Sequence, residues 1–509
     1  MKCLFICLGL SFSTNLFAQL YINGVDFIIN TSGIVYINSD SLLIENDAQF
    51  LQNGFLRVDK DLINESGLLV NDGDIYVNNN IIINDEVQGL SNLSNFYIRG
   101  NWTNNDVFSA GLSTVTLNGN LQEIRGTAVT GFYKLTTLGT LADKKTLVNI
   151  DATISNLFDL GAVEFGTEVN TLSILNPNTM SVQRSSGFVS SLDLGRLERA
   201  TNTTDAYLFP TGSTIGTSRY RPIEITPITS TANVFGARLA NLDATVDNFD
   251  VLNLSDSLCV VNPNFYHRLY AQTGAADLTM FYLPLEDGTW NDMANWEAAN
   301  LWDETTNNIN NSSSGGFSSV SAFNVTVFTP SPFALANKKP TLSLEDQFII
   351  NLGESVNISP VYSGSTPINV IWTPSDALFC SSCLETEANP TQTTLYTISL
   401  EAYLNCILND SILIVVNPAD LLFPDAFSPT ADGVNETFRP IGANIEEYRI
   451  NIYNRWGEKI YSSNDYVTGW DGTYKNEKAP IDVYTYSVQY KFLNIPEIKY
   501  YSSNLTLIR

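Results

Sequence analysis

Ser32-Gly33-Ile34-Val35-Tyr36-Ile37, Asn53-Gly54-Phe55-Leu56-Arg57-Val58 and Asp72-Gly73-Asp74-Ile75-Tyr76-Val77 decide the architecture of the first part of this chain. Each copy is a small polar residue, a glycine and then a short run of strand-forming residues. The glycines stand about twenty residues apart, the length of one coil of a parallel β-solenoid. No coil of such a fold buries its inner face alone, so stacking creates the core. Gly100-Asn-Trp102, Ser113-Thr-Val-Thr-Leu-Asn-Gly119 and Gly131-Phe-Tyr-Lys-Leu135 extend the pattern with longer coils. Residues 19–195 are therefore read as a β-solenoid-like repeat region. A β-sandwich with evenly spaced strands is the alternative.

Outward from this region the chain reads as all-β and multidomain. Runs of β-branched and aromatic residues are punctuated by Asn, Asp, Gly and Ser, and helical periodicity is missing. Spacing becomes irregular over 196–336, as in Leu208-Phe-Pro-Thr-Gly212 and Arg219-Tyr-Arg-Pro-Ile-Glu-Ile225, which suggests an antiparallel β-sandwich. Asn307 to Gly316, with Ile309 as its sole apolar residue, is expected to be a flexible surface loop. After the linker Asn337-Lys-Lys-Pro340, residues 341–418 alternate like a seven-stranded sandwich with Trp372 in its core. Residues 1–18 have the form of a signal peptide: Lys2, the apolar run Leu4 to Leu10, and Ala18 before Gln19. No later apolar run approaches the roughly 18–20 residues of a membrane helix.

The chain of 509 residues carries 26 Lys and Arg against 53 Asp and Glu, a formal charge of −27. With no basic stripe to neutralise phosphates, nucleic acid and anionic lipid are not expected partners. Beyond the signal peptide stand Cys259, Cys380, Cys383 and Cys406. Export would place them where disulfides persist, and a disulfide within Cys380, Cys383 and Cys406 is expected. Cys380-Ser-Ser-Cys383 lacks the βαβ context of a thioredoxin-like motif, and the single His267 is remote from the cysteines, so zinc is not expected.

Catalytic signatures are sparse. No nucleophile elbow, zincin helix or phosphate-binding loop occurs. Asp159, Glu164 and Arg184 would need to converge on one groove to act on a polysaccharide, and their spacing does not require it. No enzyme is expected. Trp290, Trp296 and Trp302 recur every six residues and would share one face of an extended segment. They are read as closing a core edge, with glycan stacking as the sharper alternative. Asp425 and Asp432-Gly433-Val-Asn435-Glu436 have the oxygen-rich composition of a Ca²⁺ loop without the full spacing. A turn held by side-chain hydrogen bonds is the preferred reading.

The last segment is the most specific. Phe427-Ser-Pro429-Thr-Ala-Asp432-Gly433-Val-Asn435-Glu436, Asn454-Arg455-Trp456-Gly457 and Gly469-Trp470-Asp471-Gly472 lie within 420–509, and the chain stops at Arg509. This segment resembles the type B sorting domain of the type IX secretion system, the gliding motility-associated C-terminal domain of Bacteroidetes. The family opening is usually Phe-Thr-Pro-Asn-Gly-Asp-Gly-x-Asn-Asp, so the chain departs from it at Thr430, Ala431 and Glu436. It departs again at Asp482, where Gly is frequent. The resemblance implies export across the outer membrane and docking to a PorP/SprF-type outer-membrane protein. Trp456 and Trp470 are expected in the core, and Leu505–Arg509 as an exposed edge strand for pairing with a partner. Gly353-Glu-Ser-Val, Trp372-Thr-Pro-Ser and Asn389-Pro-Thr-Gln-Thr-Thr-Leu-Tyr396 resemble immunoglobulin-like PKD repeats of bacterial surface proteins. Together these imply a secreted or surface adhesin-like protein. A polysaccharide-binding or polysaccharide-degrading protein is the alternative.

Overall fold

The computed structural model describes residues 20–305, 310–314, 316–328, 331–417, 420–442, 445–492 and 496–509. The proposed signal peptide lies outside them. The chain divides into two compact units, with the boundary in sequence between Lys339 and Pro340.

The first unit begins as a parallel β-solenoid. One wall stacks nine strands, from Leu20–Asn23 to Phe188–Ser190. A second wall of five runs from Phe27–Ile29 to Phe108–Ser109 and then stops. The third starts at Ile34–Ile37 and passes through Phe55–Val58, Asp74–Val77 and Asn95–Ile98. Register aligns like with like along the axis: Val35, Leu56, Ile75, Phe96 and Val115 form one inward column. Stacked coils are the core, as the twenty-residue period predicts.

The corners explain the repeat. A Cβ on Gly54 would lie 2.3 Å from the carbonyl oxygen of Gly33, and one on Gly73 equally close to that of Gly54. Glycine is required there by backbone approach between successive coils. Two residues before each of these glycines a buried amide turns inward. The Gln52 amide donates to the carbonyls of Gly54 (2.8 Å) and Asp74 (3.0 Å). Asn71 accepts from the Gly73 N–H and donates to the Asn95 carbonyl. Asn64 does likewise with the carbonyls of Gly67 and Glu86. Part of the Asn content is therefore internal, because corner carbonyls that point inward must be paired.

Farther on, two strands lengthen to eight residues, Thr130–Thr137 and Ala152–Asp159, with a register shift between Phe132 and Lys134. The parallel ladder ends on Arg196–Thr201, which pairs Thr171–Ile174 in parallel and Asn233–Ala240 antiparallel. This strand is both the last rung of the solenoid and the first strand of the following sandwich, so the sandwich covers the solenoid's open edge. The wall continues through Tyr266–Ala271, Ser331–Lys338 and Asp292–Trp296, opposite a five-stranded sheet containing Ala276–Tyr282 and Phe317–Val325. Asn310–Ser314, expected in a loop, is a strand pairing with Phe317–Val325. An edge strand needs only backbone partners, so its polar composition gave no sign of it.

In the second unit, residues 342–417 form eight strands in three small sheets, one more strand than expected. The largest orders Gln347–Asn351, Cys406–Asn417, Thr394–Tyr403 and Asn369–Thr373. Trp372 is fully buried, and its indole N–H donates to the Cys383 carbonyl at 2.9 Å. Cys380 and Cys383 are joined as a disulfide, and Cys406 is buried at the start of its strand.

Two expectations follow. Gly73→Ala should destabilise the first unit by about 1–3 kcal/mol, read from its urea transition, because backbone cannot yield as a side chain would. The second concerns pH. Burial holds His267 down at about 4 and Asp292 up at about 6. Between these values the folded chain carries one proton fewer at His267 than the unfolded chain and one more at Asp292, so their effects on stability oppose. Asp292→Asn removes the opposing group, so the slope of stability against pH should become more positive than in the unchanged chain by about 1.4 kcal/mol per unit between roughly 4 and 6. An unchanged slope in that variant would refute the assignment of Asp292.

Candidate functional site: the C-terminal domain

Five strands make the principal sheet of residues 420–509, in the order Ala426–Phe427, Ile498–Leu507, Asp482–Phe492, Ile445–Tyr453 and Lys459–Ser463. Period-two alternation puts Tyr448, Ile450 and Ile452 inward from one strand and Tyr484, Tyr486, Val488 and Tyr490 from the next. Trp470 is fully buried. It meets Phe427 at 5.3 Å and Tyr484 edge-on at 4.9 Å, and its N–H donates to the Thr473 carbonyl. Phe438, which the motif reading missed, exchanges backbone hydrogen bonds with Trp470 and packs on Phe427. Its signal was only its place two residues after Glu436.

The turns are built from their own side chains. The Asp432 carboxylate accepts from the Val434 N–H, which with the Thr430 hydroxyl holds its pKa below the ordinary range. Glu436 accepts from the N–H groups of Ala431 and Gly433, both at 3.0 Å. The Asp425 carbonyl accepts from the Thr506 N–H. These carboxylates close a loop by hydrogen bonding, as the preferred reading of the segment had it. Asn435 and Ala431 both adopt left-handed backbone, at φ 51° and 63°. Asp471 accepts from the Thr473 N–H and hydroxyl, and Gly472 takes φ 76°, where a Cβ would come within 3.0 Å of the Pro429 ring. At Gly469 a Cβ would come within 2.8 Å of the Phe438 carbonyl.

Two sequence expectations change here. Trp456 is not in the core: it is 85% exposed on the hairpin turn between Tyr453 and Lys459. The turn closes without it, through the Asn454 side chain, which accepts from the N–H groups of Trp456 and Glu458, and through Gly457 at φ 77°. The chain end is not an open edge either. Leu505 and Leu507 are buried, with Ala426–Phe427 on one side and Asp482–Phe492 on the other. Arg509 donates to the carbonyls of Ala479 (2.7 Å) and Gly472 (2.9 Å), fastening the terminus to the Gly469–Gly472 turn. The departure at Asp482 has its own use. Its carboxylate takes a two-point ion pair from Arg455, at 2.8 and 2.9 Å.

Elsewhere the candidate groups stay apart. Asp159 accepts from the Gly161 N–H. Buried Glu164 contacts Lys144 at 3.3 Å and Ser190 at 2.6 Å. Arg184 donates to the Gly187 carbonyl and covers the Tyr220 ring. Among the described residues no hydrogen bond or ion pair joins the three. His267 is buried, with Nε2 at 2.8 Å from the Arg221 carbonyl. The tryptophans do not share one extended strand. Trp296 and Trp302 pair across a hairpin, edge to face at 5.6 Å, and Trp290 and Trp302 are buried. That arrangement closes a core and leaves no flat row of indoles.

Because Ala431 holds left-handed backbone that glycine adopts without strain, Ala431→Gly should stabilise the domain by about 0.5–1 kcal/mol, seen as a higher melting temperature. An unchanged or lowered transition would contradict it.

Comparison with known proteins bears on this domain. No curated protein sequence matches the chain. Solved structures with partial likeness include DIP-gamma IG1+IG2 (10% identity, 34% of this chain and 98% of that one, TM-score 0.19). Human CDH23 EC21-23 is another (11%, 58% and 97%, TM-score 0.21), as is PcdhgB3 EC1-4 (9%, 45% and 66%, TM-score 0.17). Scores this low carry no argument about shared fold or role. A family model does match: the CHU_C Type IX secretion signal domain, over residues 421–502. Such a signal belongs to a secreted or cell-surface protein, and among the described residues no helix is long and apolar enough to cross a membrane. Residues 421–502 are thus a type IX secretion signal domain of the type B kind, and the chain that carries it is cargo of that secretion machinery.

Proposed function

We propose that this chain is a structural, adhesin-like protein of the cell surface. In this reading a signal peptide takes it into the periplasm, and the C-terminal domain then directs it outward through a PorP/SprF-type outer-membrane protein. The observation that carries the proposal is the presence, in one chain, of a secretion signal domain and a stacked solenoid whose inward-pointing corner carbonyls are paired from inside by Gln52 and Asn64. A stack of this kind is stiff and extends by adding coils, which suits reach and display. The polysaccharide-degrading alternative has no such support, since Asp159, Glu164 and Arg184 are each engaged locally. Immunoglobulin-like residues 341–418 fit the role of a spacer, though fold alone does not assign one.

Fractionation tests the route. In cells with a type IX system the full chain should reach the surface or medium, while a version ending at Pro418 should accumulate in the periplasm. Equal export of both would remove the address from residues 420–509. Loss of surface attachment in a strain lacking the gene, restored by the full chain, would support the adhesin role. Unaltered attachment would count against it.

A further inference from the structure

Every aromatic residue of the signal motifs is accounted for by packing except one. Phe427 and Trp470 are buried, whereas Trp456 stands 85% exposed. The turn that carries it does not need an indole. Asn454 fixes the backbone at Trp456 and Glu458, Gly457 supplies the left-handed position, and the ring contributes to neither. Covering so large an apolar ring at another stage would be favourable.

The turn is tied to its neighbours by ion pairs and hydrogen bonds, with exposed apolar residues nearby in the sequence of the adjoining strand. Arg455 is tied at two points to Asp482, which brings the start of the strand Asp482–Phe492 beside the turn. Ile481 and Val483, flanking Asp482, are 62% and 49% exposed. On the turn's far side Glu458 accepts from the Tyr474 hydroxyl and pairs with Lys475. Arg455, Lys459, Lys475 and Lys478 stand against Glu458, Glu477 and Asp482, so the tip is nearly neutral on a chain of charge −27. Tyr500, another strongly exposed ring, lies on a strand rather than a turn.

We infer that Trp456 is the anchor by which the signal domain docks on its export receptor. The receptor is a protein whose contact surface has an apolar pocket sized for an indole, with a carbonyl or carboxylate acceptor for its N–H. A near-neutral tip favours such a pocket over a strongly charged cradle. A tryptophan held on a preorganised turn matches the usual make-up of an interface hot spot, because little side-chain and loop entropy is lost on docking. The inference rests on the reading of residues 420–509 as the export address.

The test uses the full chain in cells with a type IX system, measuring exported and periplasmic fractions together with the melting temperature of each purified variant. Trp456→Ala and Trp456→Gln should lower the exported fraction by about tenfold or more, with melting unchanged. Trp456→Phe should keep most of the export, and the control Val467→Ala, at an exposed apolar residue elsewhere in the domain, should keep all of it. Normal export of the Ala and Gln variants, with the version ending at Pro418 retained, overturns the anchor and leaves the address intact. Export of the version ending at Pro418 overturns the address itself. Loss of export in step with lost melting temperature in both variants overturns the anchor, since it makes Trp456 a folding residue.

Discussion

Backbone pairing between successive coils is the constraint on which the larger unit depends. In-register parallel stacking brings one coil's corner onto the next within backbone contact, leaving no space for a Cβ at Gly54 or Gly73. The same contact turns carbonyls inward, where water cannot reach them. The side-chain amides of Gln52, Asn64 and Asn71 donate to them from inside the solenoid. Glycines and buried amides are two consequences of one geometry.

The stack must also end. A parallel ladder leaves a row of unpaired N–H and carbonyl groups on its last strand, which invites association. Arg196–Thr201 gives that row to Asn233–Ala240, and the direction of the sheet changes from parallel to antiparallel at that strand. Solenoid and sandwich consequently share a wall, and the hydrophobic core runs on from Leu197 to Phe235 and Leu269.

In the signal domain the chain terminus is part of the structure. Leu505 and Leu507 are inner residues of a central strand, and Arg509 fastens the end to the turn after Trp470. At Thr506 and Leu507 this strand is paired on both sides, so the terminus itself is not free for edge pairing, which shifts attention from it to the Asn454–Gly457 turn. Asp482 illustrates how a departure from the family pattern is absorbed: a carboxylate where glycine is frequent becomes the partner of Arg455.

The all-β class, the solenoid period and the secretion signal can be read from the order of residues alone. Those properties are local: a glycine per coil, alternation of apolar residues, and turn motifs closed by Asx side chains within a few positions. Which Asn residues lie inside, the strand at Asn310–Ser314, and the closing of a core by Trp290, Trp296 and Trp302 all depend on how distant segments pack together. Such packing also separates Trp456 from Trp470, one exposed and one buried, although each stands beside glycine in a short turn motif. The reason is physical. Burial of a side chain depends on what the rest of the chain places over it, and a turn motif specifies its backbone without specifying its cover.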